Sequence, residues 1–160
     1  MGQTESGGTL VTLPGVAAAE RAGSVGLPMA GVEVAIVDGA DRPVATGQIG
    51  ELVARGPNLM LGYYRNDEAT LATLANGWLH TGDLGYQDAE GLVTLVDRKK
   101  DMIIRGGENI YSCEVEQVLL RHPAIKAVAV VGQSDAIFGE QVAAFVVADP
   151  ALPVPGVEEL

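Results

Sequence analysis

Three stretches of the sequence carry residue types that can do chemistry. The densest is Asp97-Arg98-Lys99-Lys100-Asp101-Met102-Ile103-Ile104-Arg105-Gly106-Gly107-Glu108-Asn109-Ile110. It gathers four of the ten basic residues between Arg98 and Arg105, in a chain of net charge -11. Two glycines follow the cations, and bare backbone lets a ligand approach closely. Concentrated cations beside such backbone suit a phosphate. A tight surface turn next to a solvated charge run has the same composition. The second stretch, Gly2-Gln3-Thr4-Glu5-Ser6-Gly7-Gly8, reads as a polar loop with one hydroxyl and one carboxylate, Thr4 and Glu5. Taken alone it is equally a terminal segment with an incidental Glu. The third, Gly77-Trp78-Leu79-His80-Thr81-Gly82-Asp83-Leu84-Gly85, places Asp83 directly after a glycine, where it either meets a ligand or caps a turn. His80 before a Thr-Gly turn reads as structural. Cys113 lacks an accompanying His/Asp pattern and is not assigned to catalysis.

Composition bounds what these groups can serve. A chain of 160 residues with 48% hydrophobic content is long enough for a core. Aromatics make up only 4%, so that core must rest on Val, Leu, Ile and Ala. No apolar run approaches the roughly 20 residues that span a bilayer, and Met1 does not open a signal segment. One cysteine cannot form an internal disulfide, which points to a reducing cytoplasm. The acidic balance argues against nucleic acid and anionic membrane surfaces as partners.

The elements around the three stretches follow from pattern. Val32, Val34 and Ile36 alternate with Glu33, Ala35 and Val37, which predicts a half-buried strand. Asp38 to Pro43 is turn chemistry, and Gly50 to Arg55 is a second strand. Asn66 before Asp67 and Glu68 predicts a capped helix reaching about Leu74. Asp83 is expected at a strand end, and Leu92 to Val96 as a strand. Ser112 is expected to cap a helix whose stripe is Val115, Val118, Leu119 and His122, with Pro123 stopping it. Ala127 to Val131 and Val142 to Val147 are continuous apolar runs, which predicts strands covered on both faces. Val157-Glu158-Glu159-Leu160 reads as the start of another helix. The pattern is α+β.

In this order the three stretches, with Gly26-Leu27-Pro28, Gly50-Glu51-Leu52 and Gly62-Tyr63-Tyr64, resemble the adenylate-forming superfamily of acyl-CoA synthetases, aryl-CoA ligases, luciferases and peptide-synthetase adenylation domains. The Gly-Gly-Glu-Asn-Ile-Tyr run leans toward acyl-CoA synthetases. The resemblance implies that residues 1–97 are the C-terminal part of a large AMP-binding domain, with its β-rich subdomain, and that 98–160 are a hinge and a partial small domain. It further implies that Thr4 contacts phosphate or the acyl carboxylate, Glu5 ligates Mg²⁺, Asp83 takes both ribose hydroxyls and Arg98 the ribose or phosphate. Lys100 falls on the hinge, and Gly106 with Gly107 would line the tunnel for the pantetheine of CoA. Met1 stands where relatives carry an aromatic against the adenine, which implies a chain cut inside a motif.

The resemblance also marks absences. The Gly-rich phosphate loop lies upstream of Gly2 in relatives, and the adenylation lysine beyond Leu160; neither Lys99 nor Lys126 has the Gly-Lys context it requires. No catalytic residue is therefore assigned. The expectation is a piece, truncated at both ends and inactive alone, of a ligase using ATP, Mg²⁺, CoA and a carboxylic acid of the fatty-acyl type. Loading of a carrier protein, or a non-catalytic nucleotide- or partner-binding module, are the alternatives.

Overall fold

A computed structural model describes residues 1–12, 23–156 and 158. The described chain has an α+β fold in two compact units, Met1–Val96 and Asp97–Leu160.

In the first unit a six-stranded sheet runs β3 (Val11–Thr12), β4 (Ser24–Pro28), β8 (Val93–Arg98, whose last two residues open the second unit), β7 (Leu79–Gln87), β6 (Gly50–Arg55), β5 (Glu33–Val37). β5 and β6 pair antiparallel from Glu33↔Arg55 to Val37↔Glu51, the hairpin that the alternation predicts. Asp38 closes the turn after β5, accepting from the Ala40 and Arg42 N–H groups at 2.8 and 3.0 Å. Those backbone bonds and the Arg42 guanidinium hold its carboxyl below the usual aspartate value. Alternation fails at Val37, which is buried like Ile36. β6 is buried from Glu51 to Ala54, and Leu10, Val11, Ile36, Leu52, Ala54, Leu79 and Val93 form the core cluster.

The expected loop Gly2–Gly8 is instead a small hairpin, β1 (Gly2–Gln3) on β2 (Gly8–Thr9), closed by a 3-10 turn at Thr4–Ser6. Polar, Gly-rich composition hid it, because its glue is one buried hydroxyl. Ser6 accepts from the Gln3 N–H at 3.2 Å and reaches the Gln3 carbonyl at 2.8 Å. Gly7 turns the chain at φ +59, and a Cβ there would stand 2.9 Å from the Asn58 carbonyl oxygen. Helix α1 (Asp67–Thr73) begins where expected, with the Asn66 side chain accepting from the Ala69 N–H at 3.1 Å.

The second unit is a four-stranded sheet in the order β10 (Glu108–Ile110), β9 (Ile103–Arg105), β12 (Gly139–Ala148), β11 (Ile125–Asp135), with helix α2 (Ser112–Leu119) packed on β11. Ser112 does not cap α2. Tyr111 stands at the N-cap without a side-chain bond, and Asp97 supplies the acceptor instead. Its Oδ2 takes the Ser112 hydroxyl at 2.9 Å and the Cys113 N–H at 3.2 Å. The stripe is also narrower than expected. Val118 is 53% exposed, and α2 ends at Leu119, before Pro123 acts. The apolar runs do form strands, but β11 and β12 pair with each other as a hairpin and keep much of their surface in the open. Val131, Phe145 and Val147 are 45%, 66% and 58% exposed. Apolar continuity shows which residues tolerate burial, not how many layers lie against them. The expected final helix lies outside the described residues apart from Glu158.

Candidate functional site

Glu5 sits in the 3-10 turn that closes the β1–β2 hairpin, so its backbone is fixed on both sides. Its carbonyl accepts from the Met60 N–H at 2.7 Å, and its Oε1 accepts from the Tyr63 hydroxyl at 2.8 Å. The Glu5 carboxylate holds the phenol in its protonated form and raises the Tyr63 pKa above the ordinary 10.0. Asn58 adds a third tie, its Nδ2 donating to the Ser6 carbonyl at 2.9 Å. Thr4 is exposed beside Glu5. The turn is thus anchored to residues 58–63 and presents a hydroxyl and a carboxylate side by side in sequence. Met1 is itself built into the fold: its ammonium donates to the Val11 carbonyl at 2.8 Å, and its side chain packs on the core.

Asp83 does not lie at a strand end but inside β7. The β6–β7 register explains what is special there. Glu51 pairs with Leu84 and Val53 with His80, so β7 spends Thr81, Gly82 and Asp83 where β6 spends Leu52 alone. The surplus bulges out of the ladder, and its amides need partners other than the neighbouring strand. Side chains provide them. The buried Thr81 hydroxyl donates to the Leu52 carbonyl at 2.7 Å and accepts from the Asp83 N–H at 3.1 Å. Glu51 Oε1 accepts from the Gly82 N–H at 3.1 Å. Gly82 takes φ +72, a left-handed conformation that disfavours any residue with a Cβ. Asp83 is half-buried.

His80 lies beside this bulge as a structural group. Its Nδ1 stands 3.2 Å from Glu51 Oε2, and an ionised carboxylate only accepts, so Nδ1 carries the proton in that pair. Its Nε2 faces Asp41 Oδ1 at 3.8 Å, across a cleft of about 290 Å³ that Trp78 and Asn76 also line. Sequence reasoning passed over Glu51, Thr81 and Tyr63 as individuals. The available signal was a Glu abutting the apolar run Leu52-Val53-Ala54, a position where a carboxylate must be buried and therefore bonded.

The remaining predicted residues fall in the second unit. Arg98 ends β8 and is exposed; its carbonyl accepts from the Asp101 and Met102 N–H groups at 3.0 and 3.1 Å, which turns the chain. Lys100 sits in that turn, exposed, on a cleft of about 600 Å³ shared with Asp97, Cys113 and Glu116. Gly106 and Gly107 form a two-residue turn, since Arg105 pairs with Glu108, and their φ values of +61 and +90 are those of a type I′ hairpin turn. A Cβ on Gly107 would meet nothing within 4 Å, while one on Gly106 would touch the Phe138 ring at 3.4 Å. The Arg105 guanidinium covers that ring at 4.3 Å. Among the described residues no group of three or more His, Cys, Asp or Glu side chains could hold a metal, and no helix is long and apolar enough to cross a membrane.

Comparison with known proteins bears on the whole of this arrangement. The profile of the AMP-binding enzymes matches residues 1–64, and that of the AMP-binding enzyme C-terminal domain matches residues 114–160. A long-chain-fatty-acid–CoA ligase of Escherichia coli O157:H7 is 48% identical over 133 residues, 82% of this chain and 24% of that protein. A 2-succinylbenzoate–CoA ligase of Bacillus cereus strain Q1 is 46% identical over 147 residues, 91% of this chain and 30% of that protein. The o-succinylbenzoate CoA synthetase of Bacillus subtilis, solved with its acyl-adenylate intermediate, superposes with a TM-score of 0.86 at 41% identity, over 96% of this chain and 31% of that one. The same synthetase solved with ATP and magnesium gives 0.85 at 41% identity, over 98% and 32%. The chain therefore spans from 24% to 32% of the length of these relatives. With both profiles of one enzyme family matching in order, on an α+β fold that superposes on a solved member over nearly its full length, the chain belongs to the adenylate-forming, AMP-binding superfamily.

Proposed function

We propose that the chain supplies the adenosine-facing part, and the start of the small domain, of an ATP-dependent acid–CoA ligase. The observation that carries this is the superposition over 96% of the chain on a synthetase solved with its acyl-adenylate. In such a ligase a carboxylate attacks the α-phosphate of ATP and releases pyrophosphate; the thiol of CoA then attacks the acyl carbonyl and releases AMP. Asp83, carried on a fixed bulge, accepts from the two ribose hydroxyls, and charged acceptors make the stronger bonds. Arg98 offers a planar donor fork to ribose or phosphate. Thr4 donates its hydroxyl to phosphate or the acyl carboxylate.

Glu5 fits Mg²⁺ in one respect that its surroundings define. The phenol of Tyr63 engages Oε1, and a single carboxylate suffices for an ion that takes its other oxygens from substrate phosphates and water. When bound, Mg²⁺ would neutralise phosphate charge during transfer. Positioning and charge neutralisation are the contributions asked of these residues. Lys100, in the turn that opens the second unit, is the hinge about which the small domain swings. The Gly106–Gly107 turn admits the pantetheine of CoA, where side chains would obstruct the thiol. A cytoplasmic setting belongs to this reading; within these 160 residues Cys113 has no second cysteine to pair with.

For the acid we favour a fatty acid, supported by the 48% identity to the long-chain ligase. An aromatic acid is the second reading, favoured by the greater share of this chain that matches the 2-succinylbenzoate ligases. The test substitutes this chain for the matching segment of the E. coli long-chain ligase and of the B. cereus 2-succinylbenzoate ligase. Thioester formation is expected in the first chimera and to be lost with D83A. No activity in either chimera, with both folded, refutes the ligase reading. The 160-residue chain by itself is expected to form no thioester from ATP, CoA and a fatty acid.

A further inference from the structure

We infer that Glu51 is a positioning residue for Asp83: its buried carboxylate holds open the bulge that presents Asp83 to the nucleotide. The inference rests on the reading of Asp83 as the ribose acceptor. Glu51 is 6% exposed, and a buried carboxylate is costly unless its oxygens are bonded. Both are: Oε1 by the Gly82 N–H at 3.1 Å, Oε2 by the His80 ring at 3.2 Å. Gly82 is the middle residue of the bulge, and its amide has lost its place in the ladder through the register shift between Glu51 and Val53. The side chain of Glu51 thus replaces a bond that its own strand's backbone no longer makes.

The alternative to this arrangement is a straightened β7. The bulge contains two surplus residues, so removing it would leave every side chain on its original face, because strand faces alternate with a period of two. Straightening would therefore bury the same apolar residues while sliding Asp83 along the strand. Hydrophobic burial does not oppose that slide, and polar contacts must. Thr81 contributes through the Leu52 carbonyl and the Asp83 N–H, and Glu51 through the Gly82 N–H. His80 completes the pair by occupying the second oxygen, which fixes the rotation of the carboxylate about its last bond.

Amide hydrogen exchange and AMP titration of the 160-residue chain, both read by NMR, test this. In the unsubstituted chain the Gly82 amide should exchange as slowly as ladder amides such as Ala54. E51M keeps volume and removes both acceptors; it should speed Gly82 exchange about tenfold, as expected for one lost hydrogen bond, and leave Ala54 unchanged. AMP, followed at the Asp83 amide, should bind several-fold more weakly to E51M, with 2′-deoxyAMP less affected. E51Q retains an acceptor for Gly82 and should restore slow exchange. Fast Gly82 exchange in the unsubstituted chain overturns the inference whether or not any variant folds. So does E51M with unchanged exchange, or with faster exchange and undiminished AMP affinity where D83A loses it. If instead D83A leaves AMP affinity intact, the ribose reading fails through its own variant, and the hold of Glu51 on the bulge is still judged by exchange at Gly82.

Discussion

Gly85→Ala should be among the most damaging single-methyl additions to the first unit. Gly85 lies on β7, two residues beyond Asp83. A Cβ built there stands 2.4 Å from the Thr94 carbonyl oxygen and 3.3 Å from the Leu95 Cα, both backbone atoms of β8. Ordinary contact begins near 3.4 Å, so the strands would have to part by about 1 Å. Neither can yield easily, because β7 is held by β6 and β8 by β4 in the interior of the sheet. Parting them strains the ladder bonds on either side, each worth about 1 kcal/mol, on top of about 1–3 kcal/mol for overpacking. The expected loss is about 2–4 kcal/mol. Gly50, the register partner of Gly85, provides the internal comparison. Its Cβ would stand 2.4 Å from the Val37 carbonyl oxygen. That clash is against the end of β5, whose outer side is tied only by the Val37–Pro43 bridge and the Val44 N–H to the Ile36 carbonyl rather than by a full strand, so it can yield more readily and Gly50→Ala should cost about 1 kcal/mol, at the low end for overpacking.

The assay is urea unfolding followed by fluorescence of Trp78, the only tryptophan, which lies in the first unit with the Arg55 guanidinium 4.5 Å over its ring. For a slope of about 2 kcal/mol/M, Gly85→Ala should lower the midpoint by roughly 1–2 M and Gly50→Ala by roughly 0.5 M. Equal losses, or a Gly85→Ala midpoint within about 0.3 M of the parent, would refute the argument that interior strands cannot part.

The other expectations concern the second unit. Asp97→Ala removes the acceptor for the Ser112 hydroxyl and the Cys113 N–H at the start of α2. It should cost about 1 kcal/mol, as a lost helix cap does, measured as faster amide exchange confined to α2 and its contacts; unchanged exchange there contradicts the assignment. At the β11–β12 turn the Phe138 and Ile137 N–H groups, each 2.8 Å from Asp135 Oδ1, depress the Asp135 pKa below its ordinary 3.8. Because the folded value is the lower one, the bonds contribute fully above the unfolded pKa and are lost as pH falls through the folded value. The two amide resonances should therefore titrate with a midpoint below pH 3.8, with the movement absent in D135A. A midpoint above 3.8 runs against the sign.

What could be read from the sequence, and what could not, divides by the distance over which each feature is decided. The β5–β6 hairpin, the Asn66 cap and the Gly106–Gly107 turn each depend on residues within one turn or one strand pair, so local pattern suffices. The cap of α2 comes from Asp97, 15 residues before Ser112, and Ser112 itself is the type a local rule would choose. The exposure of β11 and β12 depends on which elements lie against the sheet, and a run of Val and Ala is silent on that.

The place of Asp83 is the sharpest case, because the pattern around it is not merely silent but misleading. A glycine before an aspartate reads as the end of a strand, and the chain does depart from the ladder there. It then rejoins: Leu84 and Gly85 pair with Glu51 and Gly50. What turns an apparent strand end into a bulge is a carboxylate 31 residues away, whose Oε1 accepts the Gly82 N–H and so makes continuing the strand affordable beyond it. A bulge held only by other backbone would drift with the register. One held by a buried, doubly bonded side chain has a single position, and a side chain carried on it, as Asp83 is, inherits that position.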